Sequence, residues 1–377
     1  MASERDLGTI RRHFDNLEDP RIDRTRLHEL LDIIAITICG VVCGADSWVE
    51  IEDFGEAKES WLKTFLRLPN GIPSHDTFGR VFSLLSPEKF AECFTSWVSA
   101  VSELTRGQVV AIDGKSVRRS HDKLKGKPAL HMVSAWASEN HLVLGQTQVS
   151  DHSNEITAIP VLLSILELSG CIVTIDAMGC QKEIAEQIVS GGAEYVLAVK
   201  SNQGKLSDNI KDAFECAERN GFVNVEHSYH EDVSKGHGRL ETRRCWVITD
   251  RDELAYVDEN QEWKGLGSIV KVCYETDRVN KVESRYYISS MRAKASKLLG
   301  AVRGHWGIEN SLHWVLDMAF DEDHCRVRTG HADRNLAVVR HMALNMLKQE
   351  KTAKVGIKAR RKRAGWDQSY LLKVLSP

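Results

Sequence analysis

The sequence predicts a mixed α/β protein: a helical N-terminal region, an α/β core with a β-rich insertion, and a return to helix. Three observations predict it. Residues 1–105 carry apolar side chains at helical spacing. From residue 108 short β-branched runs and helical segments follow in the order β-β-β-α-β-α-β-α. Residues 222–290 break that rhythm with runs that alternate or are rich in β-branched and aromatic residues.

Each element has a local reason. "LHELLDIIAITICGVVC" is densely apolar and suits a buried helix, while "SWVEIEDFGEAKESWLKTFL" is amphipathic at helical spacing. "PSHDTFGRVFSLL" starts on Pro73 and Ser74, and "SPEKFAECFTSWVSAV" has Ser86 as a cap with Pro87 at the first helical position. "QVVAID" reads as a strand, and "ALHMVSAWA" and "HLVLGQTQVS" form a hairpin through "SENH". "NEITAIPVLLSILEL" is a helix capped by Ser153 or Asn154, where Glu155 favours the helix dipole. "CIVTID" is the fourth strand, "QKEIAEQIVSGG" a helix stopped by glycines, "EYVLAVK" a strand and "GKLSDNIKDAFECAER" a helix. Three strands by hairpin followed by parallel crossovers is the order of an RNase H-like core. "GRLETRRCWVI", "LGSIVKVCYET" and "ESRYYISS" make up the insertion. Helix returns at "ASKLLGAVRGHWGIENSLHWVLDMAF" and "HADRNLAVVRHMALNMLKQE". The expected division is 1–105 helical, 106–221 first part of the core, 222–290 insertion, 291–347 core helices, and 348–377 a basic tail.

The net charge of −3 over 377 residues points to no partner by itself, but residues 348–363 carry eight Lys or Arg and one acid. The nine cysteines are scattered without a CxxC pair, which fits a reducing compartment. Cys39 and Cys43 read as core thiols on one helix face. The start "MASERDLGTI" is polar, and the run Leu30–Cys43 is too short to span a bilayer. A cytoplasmic protein without a membrane partner is expected.

Asp113 and Asp176 each end an apolar strand, the first and the fourth. In the expected order those strands are neighbours, so the two carboxylates meet at one sheet end. Paired acids repel and are costly to desolvate. A hard divalent cation such as Mg²⁺ relieves both costs through carboxylate oxygens. The alternative is that Asp is a common residue at strand ends.

"AIDGKSVRRS", "TIDAMGCQ", "VKSNQG" and "HWGIENSLHWVLDMAFDEDHCRVR", together with the N-terminal "LHELLDIIAITICGVVCGADSW" and "PSHDTFGRVFSLL", resemble the motifs of the DDE transposases encoded by H-repeat elements associated with Rhs loci. The resemblance runs from about Phe14 to Asn345. It implies a catalytic and metal-binding triad of Asp113, Asp176 and Glu309, with the β-rich insertion between the last two. Some members of the wider superfamily carry Arg where this chain has His305; the nearest Arg here is Arg303. His305 and His313 flank Glu309 at helical spacing, as core residues or DNA contacts. Asp317, Asp321 and Asp323 are rival carboxylates whose plainer reading is a solvated helix end.

Cleavage at such a site needs DNA held beside it. The candidate contacts are Lys115, Arg118 and Arg119 after the first strand; Lys200, Asn202 and Gln203 between a strand and a helix; His237, Arg239 and Arg243 in the insertion; and Arg303, His305, Arg326 and Arg328 around Glu309. The resemblance implies a transposase that binds terminal inverted repeats and target double-stranded DNA. It would act as a homodimer in the active complex with two Mg²⁺ ions, Mn²⁺ being able to substitute. The rival functions are a catalytically silent DNA-binding regulator and a metal-dependent structure-specific nuclease.

Overall fold

A computed structural model describes residues 8–102, 104–121, 128–149, 154–236, 239–277 and 279–376. The strands are β1 (Val109–Ser116), β2 (His131–Ala137), β3 (Leu142–Gln148), β4 (Ile172–Ile175), β5 (Glu194–Val199), β6 (His227–Gly236), β7 (Arg239–Ile248), β8 (Ser268–Thr276) and β9 (Val279–Ser289). The helices are α1 (Gly8–Phe14), α2 (Leu30–Val42), α3 (Trp48–Leu62), α4 (His75–Leu84), α5 (Pro87–Val101), α6 (Glu155–Ile165), α7 (Lys182–Ser190), α8 (Gly204–Arg219), α9 (Arg251–Val257), α10 (Ala295–Ile308), α11 (Trp314–Phe320), α12 (Ala332–Gln349), α13 (Ile357–Trp366) and α14 (Gln368–Leu375).

The strands form one mixed sheet in the order β3-β2-β1-β4-β5-β9-β8-β7-β6. The first three run antiparallel as a meander, and β1, β4 and β5 run parallel. Residues 222–290 do not stand apart. Their last strand, β9, pairs antiparallel with β5, Leu197 opposite Ile288, so the segment extends the sheet. Without it, β5 would be an edge strand with unpaired backbone groups.

The predicted caps are found where the side chains can reach. Ser86 accepts from the Lys89 amide, with Pro87 at the first helical position, and Asn154 caps α6. Ser153 lies outside the described residues. Ser47 and Glu50 add a reciprocal capping box at α3. Cys39 is buried at the end of α2, and burial pushes the Cys43 thiol up to about 12. Among the described residues no helix is long and apolar enough to cross a membrane.

The N-terminal helices and the C-terminal helix α12 share one core. α12 is buried along most of its length and packs on α2, α4, α5 and β3. Two buried amides tie it down. Asn335 donates to the Phe82 and Leu85 carbonyls at the end of α4. Asn345 both accepts from Val143 N–H and donates to its carbonyl, each at 2.9 Å. It stands in for a strand partner where the β2–β3 register shifts.

The segment expected as a basic tail carries two helices. Residues 357–366 and 368–375 are helical and packed, because Arg361 is an internal fastener. It is 2% exposed, donates to the carbonyls of Val41, Ala45 and Ala319, and pairs with Asp46 at 2.8 Å. Arg360 donates to the Leu347 and Glu350 carbonyls, and Arg363 lies over Tyr370. Lys358 and Lys362 remain exposed.

Candidate active site

The β1–β4 ladder decides where the two aspartates meet. Ile112 is opposite Ile175, so Asp113 and Asp176 are each one residue past that pair, at the same end of the β1–β4 ladder; Asp113 does not end its strand as expected, because β1 runs on to Ser116 against β2. The Gly114 amide donates to Asp113 Oδ1 at 2.9 Å. The amides of Met178 and Gly179 donate to Asp176 Oδ1, turning the chain sharply after β4.

Glu309 comes from a third element. α10 crosses β1, β4 and β5, and continues into α11 through a single π-turn over Glu309–His313. There the Trp314 amide donates five residues back, to the Glu309 carbonyl. Such turns inside α-helices are frequent at functional sites. Glu309 lines the same cleft as Asp113 and Asp176, with a volume of about 590 Å³. His305, Lys200, Ser201, Lys211, Arg285 and Trp306 also line it.

The electrostatics are those of negative charge left uncompensated. Burial pushes Asp113 up to about 7, and the charges of Asp176, Glu155 and Glu309 add to the effect. The neighbouring histidines do not offset it. Burial lowers both His305 and His313, the latter to about 4, so both are neutral near pH 7. His305 Nδ1 meets the Thr174 hydroxyl at 3.1 Å, and His313 Nδ1 stands 3.7 Å from Asp113 Oδ2.

Several expected DNA contacts have other work. The Lys115 ammonium is largely covered, its side chain 12% exposed, and is paired with Asp317 and Glu322. A lysine leaving β1 beneath α11 can be charged there only with such partners. Arg243 is also held inside the protein. It is 7% exposed, pairs with Glu241 and lies over the Tyr274 and Trp306 rings. His305 faces Thr174 inside the cleft wall and, being neutral, offers phosphate no charge. Arg303 pairs with Asp232 at 2.7 Å. Asn202 and Gln203 donate to the carbonyls of Ala177 and Cys180. They clamp the turn that carries Asp176. His237 lies outside the described residues, and Arg239 is placed at the start of β7.

Other expectations are brought together. Arg118 pairs with Asp323 at 3.3 Å, and Arg328 donates to the Arg119 carbonyl. The loop after β1 and the segment after α11 are therefore joined, and Arg118, Arg119 and Arg326 are exposed. Each rival carboxylate has a structural partner: Asp317 has Lys115, Asp323 has Arg118, and Asp321 ends α11 in a left-handed conformation beside His324.

Residues 105–346, which span all three carboxylates, match the family described as "Transposase DDE domain", and residues 11–98 match the "DDE_Tnp_1-associated" family. The chain belongs to the DDE transposase family. The "H repeat-associated putative transposase YhhI" of Escherichia coli strain K12 is 41% identical over 98% of each chain. The "Putative transposase YncI" of Escherichia coli O157:H7 is 44% identical over 93% of this chain and 90% of its own. A short relative, "Inactive transposase YbfQ" of strain K12, is 42% identical over 21% of this chain.

In this DDE transposase the donor set suits a hard divalent cation in kind: carboxylate oxygens, with one carboxyl, Asp113, raised in proton affinity by burial and, beyond that, by the acids near it. As they stand, no three His, Cys, Asp or Glu side chains among the described residues form a group able to hold a metal ion. The reading of the sequence missed Arg285, Lys211 and Trp306, whose basic and aromatic character lines the cleft from strands and helices far apart in the chain. Arg285 stacks over Trp306 at 5.0 Å and pairs with Glu283 at 3.0 Å.

The clamp on the Asp176 turn has a measurable role. Replacing Asn202 and Gln203 together by Ala removes two hydrogen bonds, at a cost of roughly 1 kcal/mol each. Amide exchange at residues 177–180 is expected to speed up while the thermal transition shifts little. Unchanged exchange there would show that the turn holds itself.

Proposed function

We propose that the chain binds the terminal inverted repeats of its element as double-stranded DNA, hydrolyses a phosphodiester at the element end, and joins the freed 3′ hydroxyl to target DNA. The single observation that carries this reading is the convergence of Asp113, Asp176 and Glu309 on one cleft from three separate elements. Asp113, Asp176 and Glu309 would hold two Mg²⁺ ions, or Mn²⁺ in their place. Bound there, the ions would activate the attacking water and stabilise the leaving oxygen.

The chain's own residues supply placement. Asp113 and Asp176 are pre-aimed by backbone amides, and the Asp176 turn is clamped by Asn202 and Gln203. Lys200, Lys211 and Arg285 place positive charge along the cleft, where a phosphate backbone would lie. Arg118, Arg119, Arg326 and Arg328 extend that track. No nucleophilic side chain is required, since water and then the 3′ hydroxyl attack. Pairing two ends requires at least a homodimer in the active complex.

Arg285 offers a direct check of the track. Arg285→Ala is expected to weaken duplex binding across sequences and lower the salt slope of log K by about 1. An unchanged slope would take Arg285 off the DNA path. The whole reading is tested by incubating the protein with its element ends, Mg²⁺ and a target plasmid. Joined products support transposition. Cutting without joining would leave a nuclease, and binding alone a regulator.

A further inference from the structure

We propose that Glu155 is a fourth carboxylate of the cation-binding group, set in place by His131, and that residue 114 is glycine to make room for it. The proposal rests on the reading of the cleft given above. Glu155 opens α6, where Asn154 Oδ1 accepts from the Ile156 amide at 3.1 Å. A first-turn Glu is ordinarily explained by the helix dipole and points into water. This one is turned inward, with its side chain 12% exposed.

Its position is built by the hairpin. His131 Nε2 meets Glu155 Oε1 at 2.8 Å, and His131 Nδ1 meets the Ser116 hydroxyl at 2.6 Å. Ser116 and His131 are opposite each other in the β1–β2 ladder, so the imidazole is held from both ends. With Ser116 donating to Nδ1, Nε2 carries the hydrogen and donates to the carboxylate. A carboxylate–histidine chain of this kind fixes both tautomer and orientation.

The carboxylate lies across β1 at the residue next to Asp113. A Cβ on Gly114 would stand 2.1 Å from Glu155 Oε1 and 2.8 Å from His131 Nε2, closer than real atoms approach. The φ of Gly114 is not positive, so the backbone has no need of glycine there; the space does. Gly114 is also the residue whose amide holds Asp113 Oδ1. Asp113 feels the charge of Glu155 alongside those of Asp176 and Glu309. Four acids so placed repel one another, and a divalent cation offsets the repulsion. Oε1 is taken by His131, which assigns Oε2 to the cation or to one of its waters.

The test uses the full chain and Mn²⁺ alone, titrated by calorimetry and by the loss of the free-ion paramagnetic resonance signal. Glu155→Gln keeps the shape and the bond from His131 but removes the charge. It is expected to weaken Mn²⁺ binding about tenfold or more, with duplex binding retained. Gly114→Ala, which changes no charge, should show the same loss by displacing the carboxylate. Glu155→Asp keeps the charge with a shorter reach, and should recover part of the affinity that Gln loses. Wild-type Mn²⁺ affinity in folded Glu155→Gln, with lost affinity in Asp113→Asn, would overturn the proposal and leave the cleft reading standing. Wild-type affinity in Asp113→Asn as well would overturn the cleft reading itself.

Discussion

Glu309→Gln is expected to leave duplex binding intact and to lower Mg²⁺-dependent nicking of a terminal-repeat duplex by about three orders of magnitude. The substitution keeps the size of the side chain and removes a negative charge from a cleft lined by Asp113 and Asp176. A cation that activates a nucleophile contributes several kcal/mol to the transition state, and each 1.36 kcal/mol is tenfold in rate. On the proposed reading, binding would rest on Lys and Arg at other places and would gain slightly from the lost repulsion. Asp317→Asn is the informative comparator. Asp317 holds Lys115 together with Glu322, so its loss disturbs a buried ion pair and lowers the thermal midpoint. Near-normal nicking by folded Glu309→Gln, with loss in Asp317→Asn, would move the third carboxylate to α11.

The second large effect is on stability. Arg361→Ala is expected to cost roughly 3–5 kcal/mol, the range for breaking a buried charged pair. Its guanidinium joins the stretch from the end of α2 to the Ala45–Asp46 turn with the end of α11, two places far apart in sequence, and stacks over Phe320 at 4.2 Å. Removing it strands three buried carbonyls and the Asp46 carboxylate. Lys358→Ala and Lys362→Ala, on the same helix but exposed, should unfold at the wild-type denaturant midpoint and change at most the salt dependence of DNA binding. Equal midpoints for Arg361→Ala and Lys358→Ala would show that the helix does not depend on this fastener. Neutralising the basic run as a block would confuse these two effects, because Arg360, Arg361 and Arg363 each have partners inside the protein.

The truncation that a helical region 1–105 invites is ruled by the same packing. α2, α4 and α5 cover α12, so their removal would expose the buried face of a helix some 230 residues further along the chain. Loss of DNA binding in such a fragment would report unfolding before it reported recognition.

Local chemistry was legible in the sequence. The apolar run of α2, the Ser86–Pro87 start of α5, the Asn154 cap and the apolar runs that lead to Asp113 and Asp176 follow from side-chain spacing and from groups a few residues apart, although β1 itself runs on past Asp113 to Ser116. These are short-range causes, and a sequence displays them directly. The motifs around Asp113, Asp176 and Glu309 also carried the family. What the sequence could not display is which charges are spent internally. Lys115, Arg243 and Arg361 look like phosphate contacts in a string of letters, but Lys115 and Arg361 are paired with acids from elsewhere in the fold, and Arg243, paired with its neighbour Glu241, is covered by the Tyr274 and Trp306 rings. Arg285 and Lys211, which carried no motif, reach the cleft because β9 joins β5 and α8 packs beside it. Tertiary structure alone decided these roles. A buried cation must find its counter-charge within a few ångströms, and that distance is set by how strands and helices meet, not by their order along the chain.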